Sequence, residues 1–219
     1  MFRRRRREQP EQAAAEAAVQ QPQDIRESGP WDADEPHPEA DRVDLGGMRV
    51  NIGSGFDVQI AVAGDQPIGV VVIQGDSALQ LHAFAAPKRG GLWEEVRTKL
   101  AASVKEAGGA VETTEGPFGP ELVGTIPAEG GAQPVRYVGI DGPRWFLRAV
   151  INGKAAVDAA AAGPFETVIR DVVVVRGEEP MAPEEPILLR IPGDRHAAPG
   201  TQEAGLDPFT RGPEITETR

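Results

Sequence analysis

Residues 137–151, YVGIDGPRWFLRAVI, decide how this chain folds. Two strand-like runs flank a Gly-Ile-Asp-Gly-Pro turn, and the second run alternates. Trp145, Leu147, Ala149 and Ile151 fall on one face, and Arg144, Phe146, Arg148 and Val150 on the other. Successive side chains of a strand point to opposite faces, so this period of two predicts a half-buried antiparallel hairpin. One face is made for a core. The other carries two arginines.

Working outward, the same signal recurs on both sides. Residues 111–114, 121–126 and 135–140 read as strands that lead into the hairpin. Gly116-Pro117-Phe118-Gly119, Gly130-Gly131 and Asp141-Gly142-Pro143 supply their turns. Further upstream, residues 44–52 open with a short strand around Met48, Val50 and Ile52. Residues 56–62 alternate Phe56, Val58, Ile60 and Val62 against Asp57, Gln59 and Ala61. Val70-Val71-Val72-Ile73, within residues 67–74, is apolar on both faces and predicts a central strand. Asp76-Ser77 turns the chain into residues 78–85. Connections this short imply antiparallel pairing.

Between the two groups lies a helix. Leu92, Val96, Leu100 and Val104 recur every four residues, and Trp93 and Ala107 widen the stripe. Glu94 and Glu95 at its start and Lys105 near its end match the helix dipole, and Gly108-Gly109 stops it. The predicted span is 91–108. A second helix is predicted from Pro164 through Phe165, Val168 and Ile169, since proline suits the first helical position. The β-branched run Val172 to Val175 then leaves it as a strand. Residues 187–191 read as a last edge strand or as an extended segment over the surface. The fold class is α+β, an antiparallel sheet of about seven strands flanked by helices in an α/β/α sandwich.

The totals bound the rest. The 219 residues suit one domain with tails, and 20 prolines and 26 glycines concentrate in ends and turns. Residues 1–40 read as a disordered tail with a basic start, 41–192 as the single α+β domain, and 193–219 as a second disordered tail. Within the first tail, residues 11–21 are Ala-rich enough for a transient helix. The net charge of −11 divides unevenly, because residues 41–192 hold 14 Lys or Arg against 20 Asp or Glu. A domain at −6 is a poor match for duplex nucleic acid, whose binding depends on neutralising phosphates. Arg3 to Arg7 form the only basic block, a solvated terminus or a weak contact for anionic lipid or RNA. Cysteine is absent, which removes disulfides, thiol nucleophiles and thiolate metal ligands. Only His37, His82 and His196 are present, with two of them in the assigned tails, so no multi-histidine core site is expected. No apolar run reaches the length that crosses a bilayer, and no secretory signal follows the basic start, so the cytoplasm is the expected compartment.

Catalytic motifs are missing. Gly75-Asp76-Ser77-Ala78-Leu79 lacks the second glycine of a nucleophile elbow and leads into a strand, so Ser77 reads as a turn residue. No phosphate loop or dinucleotide fingerprint is present. His82 has no partner that the sequence places beside it and reads as a packed or solvated strand residue. Two cationic groups stand out as contacts for an anion or a partner. Lys88 and Arg89 precede the N-terminus of the first helix, where free amides attract anions. Arg144 and Arg148 share a strand face, with Arg136 on the preceding strand, an array that suits carboxylate or phosphate unless acidic neighbours already pair with it. Trp93 and Trp145 read as core anchors.

Several uncommon strings also occur in a fixed order. RVDLGGMRV, LQLHAFAAPKRGGLWEEVR, EGPFGPEL, RYVGIDGPRWFLRAVING and RDVVVVRGEEPMAPEEPILLRIP together resemble a family of actinobacterial proteins of unknown function, over about residues 42–192. That resemblance brings no catalytic residue, cofactor or ligand. The order of strands and helices is similar to the PsbP and Mog architecture, whose members commonly bind or assist assembly. The expectation is a non-enzymatic module that binds a protein partner, without a cofactor. Two alternatives stand beside it. One is a small-molecule or nucleotide-handling enzyme with a site near Lys88, Arg89, Arg144 and Arg148. The other is membrane or RNA attachment through Arg3 to Arg7.

Overall fold

The computed structural model describes residues 28–191. The strands are β1 (Trp31–Asp32), β2 (Val43–Asp44), β3 (Met48–Val50), β4 (Asp57–Ala63), β5 (Gln66–Gln74) and β6 (Ser77–Ala85). Helix α1 (Leu92–Glu106) follows, then β7 (Ala110–Gly116), β8 (Gly119–Ala128), β9 (Gly131–Gly142) and β10 (Trp145–Asn152). A 3-10 turn (Gly153–Ala156), helix α2 (Ala159–Asp171) and β11 (Val173–Val174) complete the order. The Arg3 to Arg7 block, residues 11–21 and the 193–219 segment lie outside the described residues.

Seven strands form one antiparallel sheet in the order β4-β5-β6-β10-β9-β8-β7. It consists of two meanders joined where β6 pairs with β10. The inner face carries Val70, Val72, Leu79, Leu81, Val138, Trp145, Leu147, Ala149 and Ile151, all buried. Phe165, Val168 and Ile169 of α2 pack there, as do Met48, Val50 and Val174 of a small sheet ordered β1-β11-β3-β2. The outer face receives α1 through Leu92 and Trp93, which pack on Phe146. The sheet between helices expected from the sequence is therefore present, and the hairpin that revealed it lies in its middle.

Four local features differ from expectation. The ordered chain begins before residue 41. Trp31 pairs with Val173 and Asp32 with Val174 in parallel, and the Trp145 indole Nε1–H donates to Asp32 Oδ2 at 2.6 Å. A lone tryptophan among Asp, Glu and Pro has no periodicity to read, so residues 28–40 look like tail in sequence. Helix α2 starts at Ala159 rather than at Pro164. Asp158 caps it, accepting from the amides of Ala160 at 2.9 Å and Ala161 at 3.1 Å, and a carboxylate cap fixes a start better than the proline does. The hairpin turn sits two residues later than expected. β9 runs through Gly142, and Pro143 and Arg144 make the turn, with Arg144 at φ 62°. Residues 187–191 add no full strand. The segment bridges Phe84 to Pro186 and Gly46 to Leu189, and it buries Ile187 and Leu189 in the inner core.

Candidate functional site on the outer face of the sheet

The structure separates the five cations that the sequence grouped. Arg136 pairs in register with Ile151, so it lies on the inner face with Trp145 and Leu147. It is 8% exposed and fully engaged. Its Nε–H donates to Glu121 Oε2 at 2.5 Å, Nη2 to Glu121 Oε1 at 3.1 Å, and Nη1 to Glu166 Oε1 at 2.8 Å. Burial opposes its charge, but the bonds to Glu121 and Glu166 outweigh burial and raise its pKa. This arginine tethers α2 to the sheet.

Lys88 and Arg89 occupy the exposed loop between β6 and α1. The helix terminus behind them is taken. Leu92 N–H donates to Asp141 Oδ1 at 3.1 Å and Trp93 N–H to Asp141 Oδ2 at 3.4 Å. A carboxylate of the hairpin thus fills the anion position that the sequence offered to a ligand. Arg144 sits in the turn. Arg176 has its pKa lowered by burial and then by the charge of Arg144. Arg148 lies four residues further along, roughly 13 Å at about 3.3 Å per residue. The cations do not converge on one ligand.

Arg148 is different. Across the middle of the outer face runs the row Gly69, His82, Arg148, Gly139, set by the pairing of β5, β6, β10 and β9. The Arg148 guanidinium carbon lies 5.1 Å from the centroid of the Phe84 ring. Its Nε is buried without a hydrogen-bond partner, and burial lowers its pKa. His82 is 7% exposed, and its Nδ1 is also buried without a partner. Burial first and Arg148 second push the His82 pKa down to about 4, so the ring is neutral near pH 7. Burial raises the Tyr137 pKa on the neighbouring strand, against the opposing pull of Arg148. Ring contacts extend this patch to the helix: His82–Phe84 at 6.3 Å, Phe84–Phe146 at 6.1 Å and Trp93–Phe146 at 5.9 Å.

Two glycines make the row flat. A Cβ at Gly69 would stand 2.6 Å from His82 Cδ2, and one at Gly139 would stand 2.1 Å from Trp93 Cδ2. Helix α1 contacts β7, β8 and β9, and among the described residues no helix lies on the β4 to β6 half of this face. There Gln59 is exposed, and Val71, Gln80 and Val150 are half-buried. Sequence reading noted Arg148 and His82 but missed Tyr137, Phe84 and the glycines. The available signal was Phe84 and His82 alternating with apolar residues in β6, opposite the outward positions of β10. A separate groove of about 680 Å³ lies between α2 and the N-terminal segment, lined by residues that include Trp31, Phe56, Val168 and Arg170, and holds none of the five cations. Ser77 Oγ accepts from Ala155 N–H at 3.0 Å, a structural bond that pins the 3-10 turn.

Residues 29–198 match a family described as "Protein of unknown function (DUF3710)". The chain belongs to that family. The match begins at Gly29, beside the strand that the sequence had left in a tail. No curated protein matches this DUF3710 chain. Among solved structures it is similar to the solution structure of cyanobacterial PsbP (CyanoP) from Synechocystis sp. PCC 6803, with 11% identity and a TM-score of 0.40 over 61% of this chain and 91% of that one. Among the described residues, no helix is long and apolar enough to cross a membrane.

Proposed function

We propose that this protein is a non-enzymatic cytoplasmic module that binds a protein partner through the outer face of its sheet, between α1 and β4. The observation that carries this reading is Arg148. It is a half-buried cation beside aromatic rings, and its Nε has no partner. A flat surface with a central aromatic and arginine cluster is how protein interfaces concentrate affinity. An enzyme would be expected to gather acid, base and ligand-holding groups around a concavity. Here the candidate cations stand apart, and the one neutral histidine faces a cation, Arg148.

The full chain, immobilised, should retain a specific partner from native lysate. Arg148→Glu should release it, while Arg89→Glu on the exposed loop should not. A partner retained equally by both variants places the contact elsewhere. Failure of the unaltered chain to retain any partner overturns the reading.

A further inference from the structure

We propose that the outer face recognises a single carboxylate, one Asp or Glu side chain of the protein partner, with Arg148 as its anchor. This rests on the reading just given and names the chemistry of the contact.

This chain supplies carboxylates to the buried side chains of Arg136 and Arg42. Arg136 has two carboxylates, and the Arg42 side chain, 5% exposed, has Asp171 at 2.5 Å. Arg148 has none. A cation taken partly out of water without a counter-ion is unfavourable, and a bound carboxylate relieves that cost. The guanidinium fork matches a carboxylate in a plane, and the Phe84 ring beneath it fixes that plane.

Charge decides between carboxylate and phosphate. His82 is neutral near pH 7, so the row Gly69, His82, Arg148, Gly139 offers one positive charge. One carboxylate balances it. A phosphate dianion leaves a second charge uncompensated on a domain that already holds six more acidic than basic residues over 41–192. The flanking surface supports a peptide rather than a free ion. Val71 and Val150 are apolar and half-buried, Gln59 and Gln80 can hydrogen-bond, and no helix among the described residues covers them.

The test is a side-chain NMR titration of the full chain with acetate as probe, against acetamide, chloride and inorganic phosphate at matched ionic strength. Acetate should shift the Arg148 Nε–H and Tyr137 ring signals saturably, at concentrations on the order of 10 to 100 mM, the weak end of the affinity range. Arg136 signals should not move. In Arg148→Met the Tyr137 response should vanish. If that variant does not fold, Arg148→Lys, which keeps the charge and loses the fork, should weaken the response several-fold. No saturable response to acetate overturns the proposal, and so does a phosphate response as strong as acetate's. Partner retention tells the two claims apart. Acetate binding with retention unaffected by Arg148→Glu contradicts the docking face. Retention lost in that variant without acetate binding contradicts only the carboxylate.

Discussion

Arg136 and Arg148 are twelve residues apart on paired strands, and they lie on opposite faces of one sheet. Both positions are even-numbered, and sequence parity groups them. The two-residue turn at Pro143 and Arg144 reverses that grouping: Ile140 pairs with Leu147 and Arg136 with Ile151, so even residues of β9 share a face with odd residues of β10. Alternation read within each strand does not carry across the turn, and so it hides which arginine is structural. Arg136→Ala leaves Glu121 buried without its cation and Glu166 with Arg170 alone, and it should cost about 3–5 kcal/mol in urea unfolding. Arg144→Gly should not destabilise and should gain up to about 1 kcal/mol, because a side chain at positive φ is strained and glycine is not. His82 gives a pH signature. Its folded pKa of about 4 lies below the ordinary 6.5, so between these values the unfolded chain binds more protons. Its contribution to stability is full above pH 6.5 and declines as pH falls toward 4. Melting temperature against pH should show this decline, and His82→Phe should flatten it.

At the scale of elements, α1 was legible and its seating was not. The four-residue apolar recurrence predicted 91–108, and the helix spans Leu92–Glu106. Nothing in the pattern says that its N-terminus is held by Asp141, 49 residues away, or that Trp93 lies flat on Gly139. Both are tertiary contacts between separate elements, and periodicity reports only which face of an element is apolar. Gly139→Val should displace α1 and cost at least about 1–3 kcal/mol, since the added methyls meet the indole ring with no space to relax. Loss of the near-ultraviolet signal of Trp93 should accompany that cost. The strands tell the same story. All seven of the large sheet were readable, β5 from a run apolar on both faces, and β11 from the β-branched run Val172 to Val175, whereas the two-residue strands β1 and β2 are too short to carry a period.

At the scale of the molecule, the domain is held as a closed unit by segments far from the hairpin. The N-terminal segment enters through Trp31 and Asp32, and the C-terminal segment returns along β6 through the Phe84–Pro186 bridge. A chain starting at residue 41 loses the buried Trp31 side chain and the Trp145–Asp32 hydrogen bond. It should be less stable than a chain starting at residue 28 by several kcal/mol, on the order of a buried Trp truncation. The inner face is thus sealed by helix, small sheet and both ends of the described chain. Among the described residues, a helix covers the outer face only over β7 to β9. The central claim is that the remaining half of the outer face meets the partner. Hydroxyl-radical footprinting of the complex with the retained partner tests it most directly. Labelling at Phe84 and Val71 should fall on binding while Met181 and Val157 stay unchanged; protection of Met181 or Val157 with Phe84 and Val71 unaffected would contradict it.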